Sequence, residues 1–202
     1  MGYNNRCIGK DEHSMKSFVR ELLMTLILAL VIFFLLQATV QTYVVVGQSM
    51  EPNLHNDDLL IVNKIVYRLH SPERGDVVVL YPPDQPRDEP PYIKRIIGKP
   101  GDTVELKGND VYVNDQKLVE PYLNDLPKYK DSLWQVPENE YFVLGDNRNI
   151  SSDSRGGWTV PREDIIGKAW VSVWPPDTWG VVADNYAAQQ ITLIYGWSPL
   201  YR

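Results

Sequence analysis

The longest apolar stretch of the chain covers residues 22–40 and reads LLMTLILALVIFFLLQATV, without a single charged residue. Its apolar residues surround the whole helical circumference, which is not typical of a surface helix with one apolar stripe. About 20 such residues span a bilayer core as a helix. The apolar core of a cleaved signal peptide is shorter, and the exit QATVQTYVVV offers no A-x-A site. The pattern therefore predicts a retained transmembrane anchor rather than a buried soluble helix or a cleaved leader.

After this stretch the apolar residues occur in short runs rich in β-branched and aromatic side chains. Gly, Pro, Asn and Asp separate these runs, as in PPDQP, KPGD and KGND. The runs predict strands at 59–66, 76–81, 92–98, 103–106, 111–114, 141–145 and 169–174. The predicted fold class is mainly β: antiparallel sheets in a sandwich or a partly closed barrel, preceded by one N-terminal transmembrane helix.

The pattern divides the chain into four parts. Residues 1–20 form a cytoplasmic N-terminal segment and residues 21–43 the anchor. Residues 44–180 are predicted to form an extracytoplasmic domain, in which residues 99–140 are an inserted, hairpin-rich β region. No role is assigned to the tail at residues 181–202.

Charge gives the orientation of the anchor. Lys10, Lys16 and Arg20 precede the apolar stretch, and the next basic residue after it is Lys64. By the positive-inside rule the N-terminus stays in the cytoplasm. The domain at residues 44–180 is therefore expected on the outer face of the cell membrane.

Composition excludes several other classes of function. The net charge is -6 and no long Lys or Arg run occurs, so nucleic acid is not expected as a partner. Cys7 is the single cysteine, which excludes an intramolecular disulfide. The three histidines are scattered, and no Cys or His cluster has ligand spacing, so no metal and no cofactor are expected.

The first segment with candidate chemistry is GQSMEPNL at residues 47–54. Ser49 follows a predicted strand and lies in a turn favoured by Gly47 and Pro52. A serine hydroxyl needs a base to become a nucleophile, and no histidine here stands in a recognisable pattern with a carboxylate. A Ser-Lys arrangement is one known variant of this chemistry, and the sequence offers candidates for it.

The second segment, YIKRIIGKPGD at residues 92–102, places two cations inside an apolar strand. Alternation puts Lys94 on the face of Tyr92 and Ile96. Arg95 cannot accept a proton, because its guanidinium stays charged at any workable pH. Lys94 can do so if burial lowers its pKa. Lys94 is therefore the candidate base, although a lysine with a solvated head group fits the same pattern.

The third segment, GDNRNISSDSR at residues 145–155, follows a predicted strand and is crowded with polar groups. It fits either a solvated loop or a scaffold for the site. In the scaffold interpretation Asp153 and Arg155 form an ion pair that fixes the loop, and a serine hydroxyl holds the lysine amine.

Together, and in this order, the anchor, these three segments and RGDVVVL at residues 74–80 resemble the bacterial type I signal peptidase family. The resemblance implies a Ser-Lys serine protease with Ser49 as nucleophile and Lys94 as general base. It also implies that Ser151 orients the lysine and that Asp153 and Arg155 pair beside the site. Its implied partners are the lipid bilayer and the signal peptides of exported preproteins, which are cut after small residues.

Two features depart from the resemblance. Members often have an aromatic pair and then Gly after the S-D-S-R run, whereas this chain has Gly156-Gly157-Trp158. The other departure lies before the nucleophile. Some members carry Ser or Thr two residues before the nucleophile as an oxyanion donor, and here that position is Gly47. The N–H of Ser49 is one candidate donor, and the sequence identifies no second one. Shallow apolar pockets near Met50 are the expected substrate-binding region. Two other functions remain open: a self-cleaving Ser-Lys repressor-type protease, and a membrane-tethered β module that binds without cutting.

Overall fold

The computed structural model describes residues 9–83 and 85–182. The described part of the first of its two compact units is one helix, α1 (Gly9–Thr39), of 31 residues. Within it the 25 residues Met15–Thr39 form a segment that is long and apolar enough to cross a membrane. The helix ends at Thr39. Residues 40–43, which the sequence pattern assigned to the anchor, instead lie in a strand that pairs with its neighbour.

The second unit, which begins at Val40, is built from antiparallel strands. A four-residue helix, α2 (Val66–Leu69), follows the second strand. The strands in chain order are β1 (Val40–Val44), β2 (Leu59–Asn63), β3 (Val77–Leu80), β4 (Tyr92–Gly98), β5 (Thr103–Lys107), β6 (Asp110–Val113), β7 (Gln116–Lys117), β8 (Ser132–Gln135), β9 (Glu140–Leu144), β10 (Val160–Pro161), β11 (Ile165–Trp174) and β12 (Gly180–Val181).

Eight strands form the larger sheet in the order β1-β2-β11-β3-β4-β9-β10, with β12 paired to β11. The smaller sheet has the order β7-β6-β5-β8 and lies within residues 103–135. The mainly β, antiparallel fold with an inserted hairpin-rich region and one preceding apolar helix is thus confirmed. Of the predicted tail, residues 183–202 lie outside the described residues.

The core explains why β3 reads as a continuous apolar run and why β4 is apolar apart from its two cations. All four residues of β3 are buried, because the sheet is covered on both faces. Val77, Val79 and Ile93 belong to one apolar cluster, whereas Val78 and Ile96 belong to another on the opposite face. A third cluster joins β9 to the smaller sheet. Strand β4 therefore lies in the interior of the domain, between β3 and β9.

Candidate active site

The loop between β1 and β2 presents Ser49. Two backbone hydrogen bonds close its base: Val45 N–H donates to Asp58 C=O at 2.8 Å, and Asp57 N–H donates to Val45 C=O at 2.9 Å. Met50 and Leu54 are buried in the core and anchor the loop. Ser49, directly before Met50, is thereby held half-buried at the edge of a cleft.

Lys94 lies in the middle of β4, opposite Val78 of β3. Its side chain is almost fully buried, with 3% of its surface exposed. The amine Nζ lies 2.8 Å from Ser49 Oγ and donates a second hydrogen bond to Ile93 C=O at 3.1 Å. The ring centroid of Tyr92 lies 5.0 Å from the same Nζ. The two candidate groups of the dyad are therefore in direct contact.

The surroundings of Lys94 favour its neutral form. Desolvation by burial lowers the pKa of Lys94 to about 8, and the charge of Arg155 acts in the same direction. The carboxylates of Asp153 and Asp146 oppose this shift. Desolvation prevails because neither carboxylate forms a hydrogen bond with the amine; both are bound to arginines. An amine with this pKa is partly neutral near neutral pH and can accept a proton.

The loop after β9 completes the surroundings of Ser49. Asn147 N–H donates to Ser49 C=O at 3.0 Å, which fixes the loop against the backbone of the candidate nucleophile. Gly145 makes this approach possible: a Cβ atom on it would lie 2.4 Å from Ser49 O and 2.2 Å from Ser151 Oγ. Only a residue without a side chain fits there.

Ser151 lies beside this contact but does not hold the lysine in this structure. Its Oγ is buried and has no hydrogen-bond partner among the described residues. The resemblance assigned this hydroxyl to the lysine amine, whose two bonds instead go to Ser49 and Ile93. An unpaired buried hydroxyl costs free energy. The site therefore holds one polar group that can gain a partner when substrate binds.

Asp153 and Arg155 form an ion pair, with Arg155 Nε 2.7 Å from Asp153 Oδ1. Asp153 Oδ2 also accepts a hydrogen bond from Gly145 N–H at 3.1 Å. The Arg155 guanidinium donates to two backbone carbonyls of the same loop, Arg148 C=O at 2.6 Å and Ser151 C=O at 3.1 Å. The pair therefore sets the backbone conformation on both sides of Ser151.

A buried ion pair behind Lys94 was not anticipated from the sequence. Arg95 and Asp146 meet in a bidentate arrangement at 2.8 and 2.7 Å, and both side chains are almost completely buried. Asn53 Nδ2 donates to Asp146 Oδ2 at 2.8 Å and to Tyr122 C=O at 2.9 Å. This cluster ties the Ser49 loop, β4 and the loop after β9 together. Arg95, a charged residue within an apolar strand, is the sequence signal that could have revealed this ion pair, because a buried arginine requires an anion.

The inserted region is attached to the site through a second buried arginine. Arg148 Nη1 donates to Glu120 Oε2 at 3.1 Å, and Arg148 Nε donates to Gly145 C=O at 2.9 Å. Tyr129 OH also contacts Arg148 Nη1. The ring of Tyr122 lies between the two guanidiniums, 4.1 Å from Arg95 and 5.9 Å from Arg148. These contacts connect segments 28 residues apart, so neither local spacing nor propensity indicates them.

The remaining predicted site residues lie around the cleft. Gly47 adopts φ +88°, and its N–H donates to Asn56 Oδ1 at 2.7 Å, so this amide is already engaged. Met50 lines the cleft together with Val45, Ile93 and Lys94, in a space of about 350 Å³. The cleft therefore offers a small apolar surface directly beside Ser49 and Lys94.

Comparison with known proteins identifies the family of the chain. Residues 16–174 match the sequence profile of the family described as "Signal peptidase, peptidase S26". A probable signal peptidase I-2 from Synechocystis is 43% identical over 150 residues, covering 73% of this chain and 69% of that protein. Signal peptidase IB from Staphylococcus aureus strain COL is 35% identical over 180 residues, covering 80% of this chain and 92% of that protein.

A crystal structure of a signal peptidase I from Enterococcus faecalis is 33% identical, with a TM-score of 0.43, and covers 49% of this chain and 97% of that one. The family match extends over more than half of the sequence and includes Ser49, Lys94 and the loop after β9. The chain therefore belongs to the signal peptidase family, peptidase S26.

Proposed function

We propose that this chain is a membrane-bound serine endopeptidase that removes signal peptides from exported preproteins, with Ser49 as nucleophile and Lys94 as general base. Membership of the signal peptidase family supports the removal of signal peptides. The observation that carries the assignment of residues is the 2.8 Å contact between Lys94 Nζ and Ser49 Oγ, made by a buried amine with a pKa of about 8.

The first half of the reaction uses the neutral amine. Lys94 Nζ accepts the Ser49 hydroxyl proton while Oγ attacks the scissile carbonyl carbon. The hydrogen bond to Ile93 C=O holds the amine and leaves its lone pair for the hydroxyl. When the tetrahedral intermediate collapses, the protonated amine gives its proton to the departing amino group, and the signal peptide stays bound as an ester of Ser49.

The second half repeats the chemistry with water. Neutral Lys94 takes a proton from a water molecule, whose oxygen attacks the ester, and the proton then returns to Ser49 Oγ as the signal peptide leaves. Both tetrahedral intermediates carry an oxyanion that needs donors. The N–H of Ser49 forms no hydrogen bond with a described residue and is the first proposed donor. We assign Ser151, whose hydroxyl also lacks a partner, to contact the amine or the substrate once the cleft is filled.

The lining of the cleft supports cleavage after small residues. Val45, Met50 and Ile93 present apolar surface in a space of about 350 Å³, which has no room for several large side chains. Burial of small apolar groups there stabilises the bound preprotein by about 25 cal/mol for each Å² removed from water. Met50 is thus a proposed substrate contact.

The anchor supports a location in the membrane. Helix α1 is long and apolar enough to span a bilayer. Lys10, Lys16 and Arg20 precede the uncharged apolar stretch at residues 22–40 and no basic residue follows it before Lys64, so we place the N-terminus in the cytoplasm and residues 44–202 on the outer face. Partial proteolysis of sealed, right-side-out vesicles tests this orientation: it should remove the catalytic domain and leave a small N-terminal fragment.

The activity is tested by incubating detergent-solubilised protein with a preprotein and sequencing the new N-terminus. Ser49→Ala and Lys94→Met should abolish cleavage while the variants remain folded, as judged by far-UV circular dichroism. Ser71→Ala and Lys107→Met are matched controls outside the site and should retain it. Cleavage by either dyad variant at the normal rate would refute the assignment. Failure of a serine-reactive inhibitor to label Ser49 in a cleaving enzyme would also refute it.

A further inference from the structure

A second groove meets the active-site cleft at Ser152. It has a volume of about 670 Å³ and lies between residues 128–134 of the inserted region and the loop at residues 148–156. Ser152 lines both the cleft and this groove. Ser151, whose hydroxyl approaches Gly145 beside the Ser49 carbonyl, also lines it. A polypeptide that passes Ser49 therefore has a continuous route into the groove.

The floor of the groove suits a polypeptide. Leu106 is buried at its base, and Tyr129 and Trp134 are half-buried along it. Trp134 also packs against Phe142, with 5.7 Å between ring centroids, so its ring is fixed. An apolar, aromatic floor with polar walls binds the backbone and side chains of an extended peptide.

The walls of the groove carry an excess of positive charge. Lys128 and Lys130 are exposed on one wall, and neither forms an ion pair with a described residue. Arg155, on the opposite wall, is already neutralised by Asp153. Asp131 contributes one opposing carboxylate, which accepts a hydrogen bond from Gly108 N–H at 3.1 Å. The groove walls therefore carry a net positive charge, because the two lysines outnumber this one carboxylate.

The other hollow that reaches Ser152 has the opposite character. It has a volume of about 330 Å³ and lies along the proline-rich segment that includes Pro82, Pro86 and the exposed Glu89, which also lines the active-site cleft. The cleft side of Ser152 therefore carries a carboxylate, whereas the groove side carries the two lysines. A preprotein with acidic residues on one side of its scissile bond is attracted to the lysine side and repelled by the glutamate side.

We propose that the groove between residues 128–134 and 148–156 binds the first residues after the scissile bond and favours acidic side chains there. The inference rests on the proposed function, because it assigns the apolar cleft to the small residues before the scissile bond. The residues after the bond then leave past Ser152 into the groove. Lys128 and Lys130 are accordingly specificity-determining residues that do not take part in the chemistry.

The test uses the full-length protein in detergent and preproteins with one signal peptide and one cleavage site. The substrates differ at the second to fifth residues after the scissile bond, where they carry two Glu or two Lys. We expect kcat/KM to favour the Glu substrate by about fivefold at low ionic strength, the range for two exposed ion pairs. The preference should fall toward unity at 0.5 M salt, because the Debye length shrinks to roughly 4 Å.

The double variant Lys128→Glu/Lys130→Glu should reverse the preference. Lys99→Glu/Lys117→Glu changes the net charge equally, but these lysines line a different hollow, so this control should keep the original preference. An unchanged ratio in the groove variant would overturn the inference. The inference would also be overturned if the groove variant changed the Glu-to-Lys preference equally for substrates that carry these charges before the scissile bond. If no substrate is cut at all, the proposed function itself fails. Cleavage with the same kcat/KM for the Glu and Lys substrates would refute only the inference about the groove.

Discussion

We expect the ionisation of Lys94 to affect both the activity of the enzyme and its free energy of unfolding. Replacing Lys94 with methionine separates these two effects. The pKa of the buried amine is lowered to about 8 from 10.5. At pH 7.4 roughly 20% of such an amine is neutral, against about 0.1% at the ordinary value. The activity of the native enzyme should therefore rise with pH, follow a single ionisation with a midpoint near 8, and level off above it.

The same shift lowers the stability of the fold. The unfolded chain keeps its Lys94 proton up to about pH 10.5, whereas the folded protein releases it near pH 8. Stability therefore rises with pH between these two values, by about 1.4 kcal/mol per unit, and the whole shift corresponds to about 3 kcal/mol. This cost is fully present below pH 8 and is removed by pH 10.5.

Lys94→Met abolishes the titration, so the difference in free energy of unfolding between this variant and the native protein should depend on pH. From pH 7 to pH 10.5 the native protein should gain about 3 kcal/mol relative to the variant. That gain corresponds to a relative rise of about 6–12 °C in Tm for a domain of this size. The absolute difference also includes the lost hydrogen bonds to Ser49 and Ile93, so the pH dependence is the informative quantity.

The assay combines kcat/KM profiles from pH 6 to 10.5 with thermal unfolding of both proteins in the same detergent. Other titrating groups are common to both proteins and cancel in the difference. Two results would contradict the reasoning: an activity midpoint near 10.5, or a stability difference that does not change with pH. Either one means that Lys94 is charged and solvated in the folded enzyme.

Three further substitutions test the supports of the site. Gly145→Ala should reduce cleavage at least tenfold, because the new Cβ atom collides with the backbone that positions the nucleophile and with Ser151; a wild-type rate would refute the close approach. Asp153→Asn removes a charge that raises the pKa of the nearby base, so the midpoint of the pH–activity profile should move below 8. Glu120→Gln should lower the free energy of unfolding by about 3 kcal/mol, because it leaves Arg148 buried without its anion; chemical denaturation measures this loss.

Much of the architecture could be predicted from the pattern of apolar residues. All seven predicted runs contain a strand, because each combines β-branched or aromatic residues with a following turn signal. Residues 40–43 of strand β1 were assigned to the anchor, because no charged residue separates the apolar stretch from this strand. Strand β8 was missed because only Leu133 and Trp134 are apolar in it and Leu133 is exposed. The two-residue strands β7, β10 and β12 are defined by pairing with neighbouring strands. They are too short to show an alternation of apolar and polar residues.

The site was predictable to the level of motifs but not of contacts. The sequence indicated Ser49 and Lys94 as partners, and their atoms lie 2.8 Å apart. It could not show that Arg95 is buried against Asp146, because alternation along a strand does not say which face has an anion behind it. Nor could it show that Gly145 touches the Ser49 backbone, because that contact depends on how two distant loops fold together.

In the proposed mechanism, the burial of Lys94 makes catalytic competence a property of the finished domain. Its neighbours in the larger sheet come from β3 and β9, and the hydroxyl that it activates lies 45 residues earlier in the chain. Until these distant pieces have assembled, the amine is hydrated and protonated, as in any unstructured polypeptide. A nascent or damaged copy is therefore inert toward neighbouring proteins, and proteolysis begins only when tertiary assembly has expelled water from around the amine.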